Sequence, residues 1–298
     1  MMTGSITNDI RYQFRHGNMV MKLIFINVGV FLFFAIFNLF GFLFQDTSIY
    51  QLVLTKVETP GSLDNLLHQP WSLFTYMFLH TGFFHVLFNM LWFYWFGEIF
   101  VLYLGDKKIL SLYMIGGIAG AVTYILAFNF IPVFKPAVEV SYMLGASASV
   151  FALVFATVTL NPDYEVRLLF LGVVRIKYIA LVAILLDIIN IPNGNAGGYM
   201  AHIGGAISGY LYIKALQGGF DIASPLNKTF DWLATVFKRK PKMKMTYKNT
   251  EENSSAATKK AGDDQKRVDE ILDKISRSGY DGLTKEEKDF LFHYSKKG

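Results

Sequence analysis

Phe83–Leu104 reads FFHVLFNMLWFYWFGEIFVLYL, a nearly unbroken apolar run close to the roughly 20 residues a helix needs to cross a hydrocarbon core. Stretches of the same kind lie at Leu23–Phe44, Ile109–Ile131, Met143–Leu160, Tyr178–Ile191 and Gly198–Leu216. The expected fold is therefore an all-α polytopic membrane protein with six crossings and both ends on one side. The fifth stretch is the weakest, being short and carrying Asp187, although Arg175 and Lys177 at its start can snorkel and extend the usable span. Composition agrees: 53% of residues are hydrophobic and only 17% charged, against about 25% charged in an ordinary soluble domain. Leu23–Phe44 is long enough to span and is read as an uncleaved first helix, not as a secretory signal.

Cysteine is absent, which excludes a disulfide framework, thiol catalysis and Cys-ligated metal sites. Lys and Arg in the short connections orient the bundle. Arg11, Arg15 and Lys22 precede the first helix, Lys107 and Lys108 separate the second and third, and Arg167, Arg175 and Lys177 separate the fourth and fifth. These segments are expected on the cytoplasmic side. The opposite connections hold only Lys56, only Lys135, and neither Lys nor Arg. The external connection 45–81 contains Trp71–Leu79, an aromatic run too short to span and suited to an interfacial position.

Polar groups inside apolar spans need a partner, a cavity or a purpose. Those singled out are His85, Asn89, Ser147, Ser149, Asp187 and His202. With helices two, four and six all running inward, His85, Asn89, Ser147 and His202 share one depth toward the external face. Ala148, Ala152 and Ala156 in helix four and Ala201, Gly205 and Gly209 in helix six recur at four-residue intervals, and such small-residue stripes let membrane helices approach closely. Packing the two stripes together would bring the Ser147 hydroxyl near the His202 imidazole, a base suited to activating it. His85 and Asn89, four apart, share a face and with the Ser147 amide can supply donors to a developing oxyanion. The competing readings are structural: Ser149 as a packing serine, His80 as a brace for the external segment, and Asp187 as a solvated or hydrogen-bonded end residue.

Taken together, His80-x4-His85-x3-Asn89, Gly145-Ala146-Ser147-Ala148 and Ala201-His202-x2-Gly205-x3-Gly209 resemble the rhomboid proteases over about Gln69–Leu216. The resemblance implies a six-helix rhomboid-like bundle and a Ser147–His202 dyad with no third acidic member. It also implies an oxyanion and substrate-binding site from His85, Asn89 and Gly145 with the Ser147 amide, and supporting positions at Phe151, Gly205 and Gly209. The implied activity is cleavage of other membrane proteins in or near their transmembrane segments, without metal or cofactor, in a bacterial inner membrane. The chain departs from the common pattern at Ala148 (Gly in many members), Phe151 (Tyr) and Ser72 after Trp71 (Arg). Phe151 can still pack on the His202 ring.

A metalloprotease would need ligands such as His-Glu-x-x-His, which this chain lacks. An aspartyl protease needs two carboxylates sharing a site. The competitor from another class is a relative that binds membrane proteins without cutting them. Such relatives lose the serine or the histidine, and both are kept here. The expected partners are transmembrane substrates and the lipid bilayer, with no nucleic acid.

The domain plan is a cytoplasmic segment 1–22, a protease domain 23–217 and a basic cytoplasmic tail 218–298. The tail carries Lys238, Arg239, Lys240, Lys242, Lys244 and Lys248, suited to anionic lipid. A Ser/Ala/Lys-rich linker, Thr250–Lys260, leads to a short helical hairpin, Lys266–Arg277 and Thr284–Tyr294, turning at Gly279 and Gly282. Nothing in the sequence names a partner for it.

Overall fold

The structure, a computed structural model, describes residues 8, 11–12, 14, 16–169, 172–237 and 251–295. Arg15 and the basic run from Lys238 to Lys248 lie outside them. The chain forms two compact units, Met1–Lys238 and Arg239–Gly298.

The first unit is organised around six helices: α1 (Met19–Leu43), α2 (Phe83–Leu104), α3 (Lys107–Phe130), α4 (Ser147–Leu160), α5 (Ile176–Asn190) and α6 (Ala196–Gln217). Four are long and apolar enough to cross a membrane: α1, α2, α3, and α5 with its 3-10 extension to Asn193. The fifth stretch, weakest by sequence, is thus among the four. The fourth and sixth are not. Helix α4 has 14 residues, about 21 Å at 1.5 Å per residue, because Met143 belongs to a two-residue strand and the helix opens only at Ser147. In α6 five glycines dilute the hydropathy.

Helix α4 is largely buried by its neighbours, and α6 buries its glycine-bearing face while leaving Ile207, Tyr210 and Leu211 exposed. Helix α4 packs most extensively against α6, and both pack on α3. Their backbones approach without intervening side chains. A methyl on Gly205 would sit 2.1 Å from the Ala148 carbonyl oxygen, and one on Gly209 2.0 Å from that of Ala152. The two small-residue stripes therefore meet, at a separation only glycine permits.

Polar contacts show the direction of four of the helices. At one end Asn18 Nδ2 donates to Glu98 at 2.7 Å, the Met19 N–H donates to Asp106, and Lys108 pairs with Asp221 at 2.6 Å. The starts of α1 and α3 and the ends of α2 and α6 therefore gather there. The starts of α2, α4 and α6 lie at the opposite end. A buried network ties the middle: Asn27 donates to Leu23 O, the Tyr113 hydroxyl has one hydrogen to share between Met77 O at 2.7 Å and Asn27 Oδ1 at 3.2 Å, and Ser149 donates to Tyr113 O. Ser149 has the packing role expected of it.

The segment between α1 and α2 is structured throughout. Helices Ser48–Val57 and Leu63–His68 flank strand β1 (Thr59–Pro60), which pairs antiparallel with β2 (Tyr142–Met143) ahead of α4. The Trp71–Leu79 run becomes a short helix, Ser72–Thr75, and a 3-10 turn, Tyr76–Phe78. Its anchors reach back into the preceding segment and across to α3: Trp71 Nε1 donates to Lys56 O, Thr59 to Ser72 O, Thr75 to Val57 O, and Tyr76 to Gly117 O on α3. Buried His80 lies edge-on to His85, with ring centroids 5.0 Å apart. Between α4 and α5 the chain adds a hairpin absent from the sequence reading, β3 (Glu165–Leu168) with β4 (Gly172–Arg175).

Past α6 lies a further amphipathic helix, α7 (Ser224–Phe237). In the second unit α8 (Glu251–Ser278) begins within the stretch read as linker, and α9 (Lys285–Ser295) returns along it. Gly279, at φ +78°, ends α8, Tyr280–Gly282 forms the turn, and Val268, Ile271 and Leu283 are its buried apolar residues. Thr284 and Glu287 cap α9 reciprocally: the Thr284 N–H donates to Glu287 at 2.7 Å, and the Glu287 N–H donates to the Thr284 hydroxyl.

Candidate functional site

His85 and Asn89 occupy the first two turns of α2. Thr81, just ahead of the helix, places its hydroxyl 3.3 Å from His85 Nδ1. When that hydroxyl donates, the ring hydrogen resides on Nε2, which faces Gly145. A Cβ built on Gly145 would lie 3.2 Å from His85 Nε2 and 3.5 Å from Ser147 Oγ, so the imidazole and the hydroxyl flank one bare α-carbon. Gly145 is held at φ +135° and donates its N–H to Tyr76 O at 3.0 Å. A larger residue there would be strained and would fill the space between the two groups.

Ser147 is the first residue of α4. Its N–H is one of the first-turn donors that a helix leaves without an internal acceptor, at the positive end of the helix dipole. Among the described residues it has no hydrogen-bond partner. Asn89 directs one N–H to His85 O at 2.9 Å, and its amide retains a second.

His202, in the second turn of α6, is held on three sides. Phe151 of α4 stacks on the ring at 4.4 Å between centroids and 12° between planes. Tyr199 meets it edge-on at 6.2 Å. Asp187 of α5 lies 2.7 Å from Nδ1, both side chains being 14% exposed. A carboxylate only accepts, so Nδ1 carries the hydrogen and Nε2 is left with the lone pair of a base. No hydrogen bond joins His202 to Ser147 in this structure.

His85, Asn89, Ser147, Phe151, Asp187 and His202 all line one cavity of about 1150 Å³, which Gly145 adjoins. Gly205 and Gly209 lie on the face of α6 that α4 covers. Two of these contacts were not anticipated from sequence. Thr81 carried no signal. Asp187 did, as an ionisable residue within a span, but its partner could not be read off. Among the described residues, no three His, Asp or Glu side chains are grouped to share a metal ion.

Comparison with known proteins places residues 67–218 in a match to the family model of the rhomboid domain, and residues 258–297 in a match to a family of unknown function. The chain is 27% identical over 217 residues to RHOMBOID-like protein 12, mitochondrial, of Arabidopsis thaliana, covering 68% of this chain and 60% of that protein. It is 32% identical over 163 residues to RHOMBOID-like protein 1 of the same plant, covering 52% of this chain and 38% of that protein. The aligned stretches thus span less than two thirds of either relative.

Proposed function

The chain belongs to the rhomboid family of integral membrane proteins, and from that premise we propose that it is a serine endopeptidase that cleaves transmembrane protein substrates. The observation that carries this reading is the convergence of Ser147, His202, His85 and Asn89, from three helices, on one cavity at the helix start that bears an unpaired amide.

In the proposed reaction Ser147 Oγ attacks the substrate carbonyl carbon while its proton passes to His202 Nε2. The carbonyl oxygen gains the negative charge and meets the Ser147 N–H, the His85 Nε2–H and the free N–H of Asn89. His202 then gives its proton to the leaving nitrogen as the C–N bond breaks. Water repeats the sequence on the acyl-enzyme and restores Ser147. The hydrogen bond between Ser147 and His202 forms as substrate orders the site, since catalytic contacts often tighten only in the complex. Phe151 holds the ring plane during these transfers, and the α4–α6 glycine contacts hold the two helices in register.

The proposed topology has all six helices crossing. The basic connections and both termini lie on the cytoplasmic side, and the site lies toward the external face of the membrane. It rests on the Lys and Arg bias and on the gathering of the site's helix starts at the opposite end. The basic run after α7 would add about 1 kcal/mol per residue of attraction to anionic lipid.

The test is cleavage of a panel of single-span substrates in liposomes. Wild type cuts at least one, and Ser147→Ala and His202→Ala, reconstituted equally well, cut none. Retention of substrate without any cleavage would favour the non-catalytic binder.

A further inference from the structure

A dyad leaves the far nitrogen of its histidine without an acidic partner. Here that nitrogen meets Asp187, one turn from the end of α5. We infer that Asp187 is a positioning residue, the third member of a Ser147–His202–Asp187 relay, and not merely a tie between α5 and α6. The inference rests on the protease reading above.

Three observations support it. First, the carboxylate has no other hydrogen bond or ion pair among the described residues, so its orientation answers to His202 alone. Second, α5 is otherwise apolar from Ile179 to Ile189. An ionisable group in such a helix is disfavoured unless it meets a partner or a cavity, and Asp187 meets both. Third, the contact is made to Nδ1, the atom that leaves Nε2 directed elsewhere as the proton acceptor. The groups around the ring divide the remaining work: Phe151 covers a face, Tyr199 an edge, and His85 shares the cavity. None of these three is an anion.

In the reaction step, the Ser147 proton moves to Nε2 while the Nδ1 proton stays between His202 and Asp187. The imidazolium so formed is matched by a carboxylate already in place. Asp187 touches neither substrate nor reacting atoms. Its removal acts on the rate of proton transfer and leaves substrate binding largely intact.

The test uses the full chain in liposomes with a cleavable single-span substrate, measuring kcat, KM and thermal stability for wild type, Asp187→Asn, Asp187→Ala and Asp187→Glu. Asn can hold the contact between helices without its charge, so it separates the relay from the tie. The expected result is a fall in kcat of at least about 30-fold for Asn and Ala, with KM within threefold. Asp187→Glu, which keeps the charge, should recover part of the rate. Asp187→Asn with wild-type kcat overturns the inference, as does a change confined to KM. If wild type itself cleaves nothing, the protease reading falls, and this inference with it. If wild type cleaves and all three variants match it, only the relay falls.

Discussion

Substituting Gly205 by alanine probes the link between packing and chemistry most sharply. The added methyl would sit 2.1 Å from the Ala148 carbonyl oxygen, where ordinary contact begins near 3.4 Å. About 1.3 Å of separation must therefore be found, and two packed helices can yield it only by moving apart or tilting. The obstructing atom is backbone one residue from Ser147, and Gly205 lies one turn from His202, so the displacement falls on the catalytic pair itself. Overpacking of this kind destabilises by about 1–3 kcal/mol, while a misplacement of about 1 Å can lower a rate by about 100-fold. Gly205→Ala is therefore expected to lose about 100-fold in activity while it remains folded. The assay is cleavage of a reconstituted single-span substrate alongside thermal unfolding. Gly29→Ala in α1, where nothing lies within 4 Å of the new methyl, serves as the control with wild-type activity. Wild-type cleavage by Gly205→Ala would refute the proposed coupling of the α4–α6 contact to the site.

Three further outcomes are expected. Asn89→Ala, which removes one oxyanion donor, should lower kcat by about 100- to 1000-fold with folding retained, as cleavage kinetics will report. Lys108→Ala breaks a partly exposed pair with Asp221, 25% and 31% accessible, and should shift stability by about 1 kcal/mol, measured by thermal unfolding, with activity unchanged. In the tail, the Thr284 amide first and Lys274 next hold the Glu287 carboxyl down at about 2. Because this folded value lies below the ordinary one of 4.5, the contribution is fully present above that pH and is lost as pH falls toward 2. Hydrogen-exchange protection factors across α9, corrected for the intrinsic pH dependence of exchange, should therefore fall over that acid window in wild type, and Glu287→Gln should remove the dependence.

Much of the fold was legible because its signals are local. Phe83–Leu104 was delimited to the residue by its apolar run, and the alanine and glycine stripes foretold which helices would touch. The sharing of one cavity by His85, Asn89, Ser147 and His202 followed from helix direction, which the charged connections carry. Asp187 was legible only as an anomaly. In a helix apolar on every side, no hydrophobic stripe marks which face turns inward, so the sequence holds no measure of how α5 is rotated toward α6. The short α4 was overestimated because Met143, Leu144 and Ala146 are as apolar as the helix they precede, and the pairing of Tyr142 and Met143 with Thr59 and Pro60 is a long-range event. The β3–β4 hairpin, four residues a side, is too brief for alternation to stand out.

The protease reading requires Ser147 to be an activated nucleophile. The most direct measurement is labelling of the detergent-solubilised protein by a fluorophosphonate, with the adduct located by mass spectrometry. A single adduct on Ser147, lost in Ser147→Ala and in a folded His202→Ala, is the predicted result. A well-folded wild type that takes no label and cleaves no transmembrane substrate would contradict it.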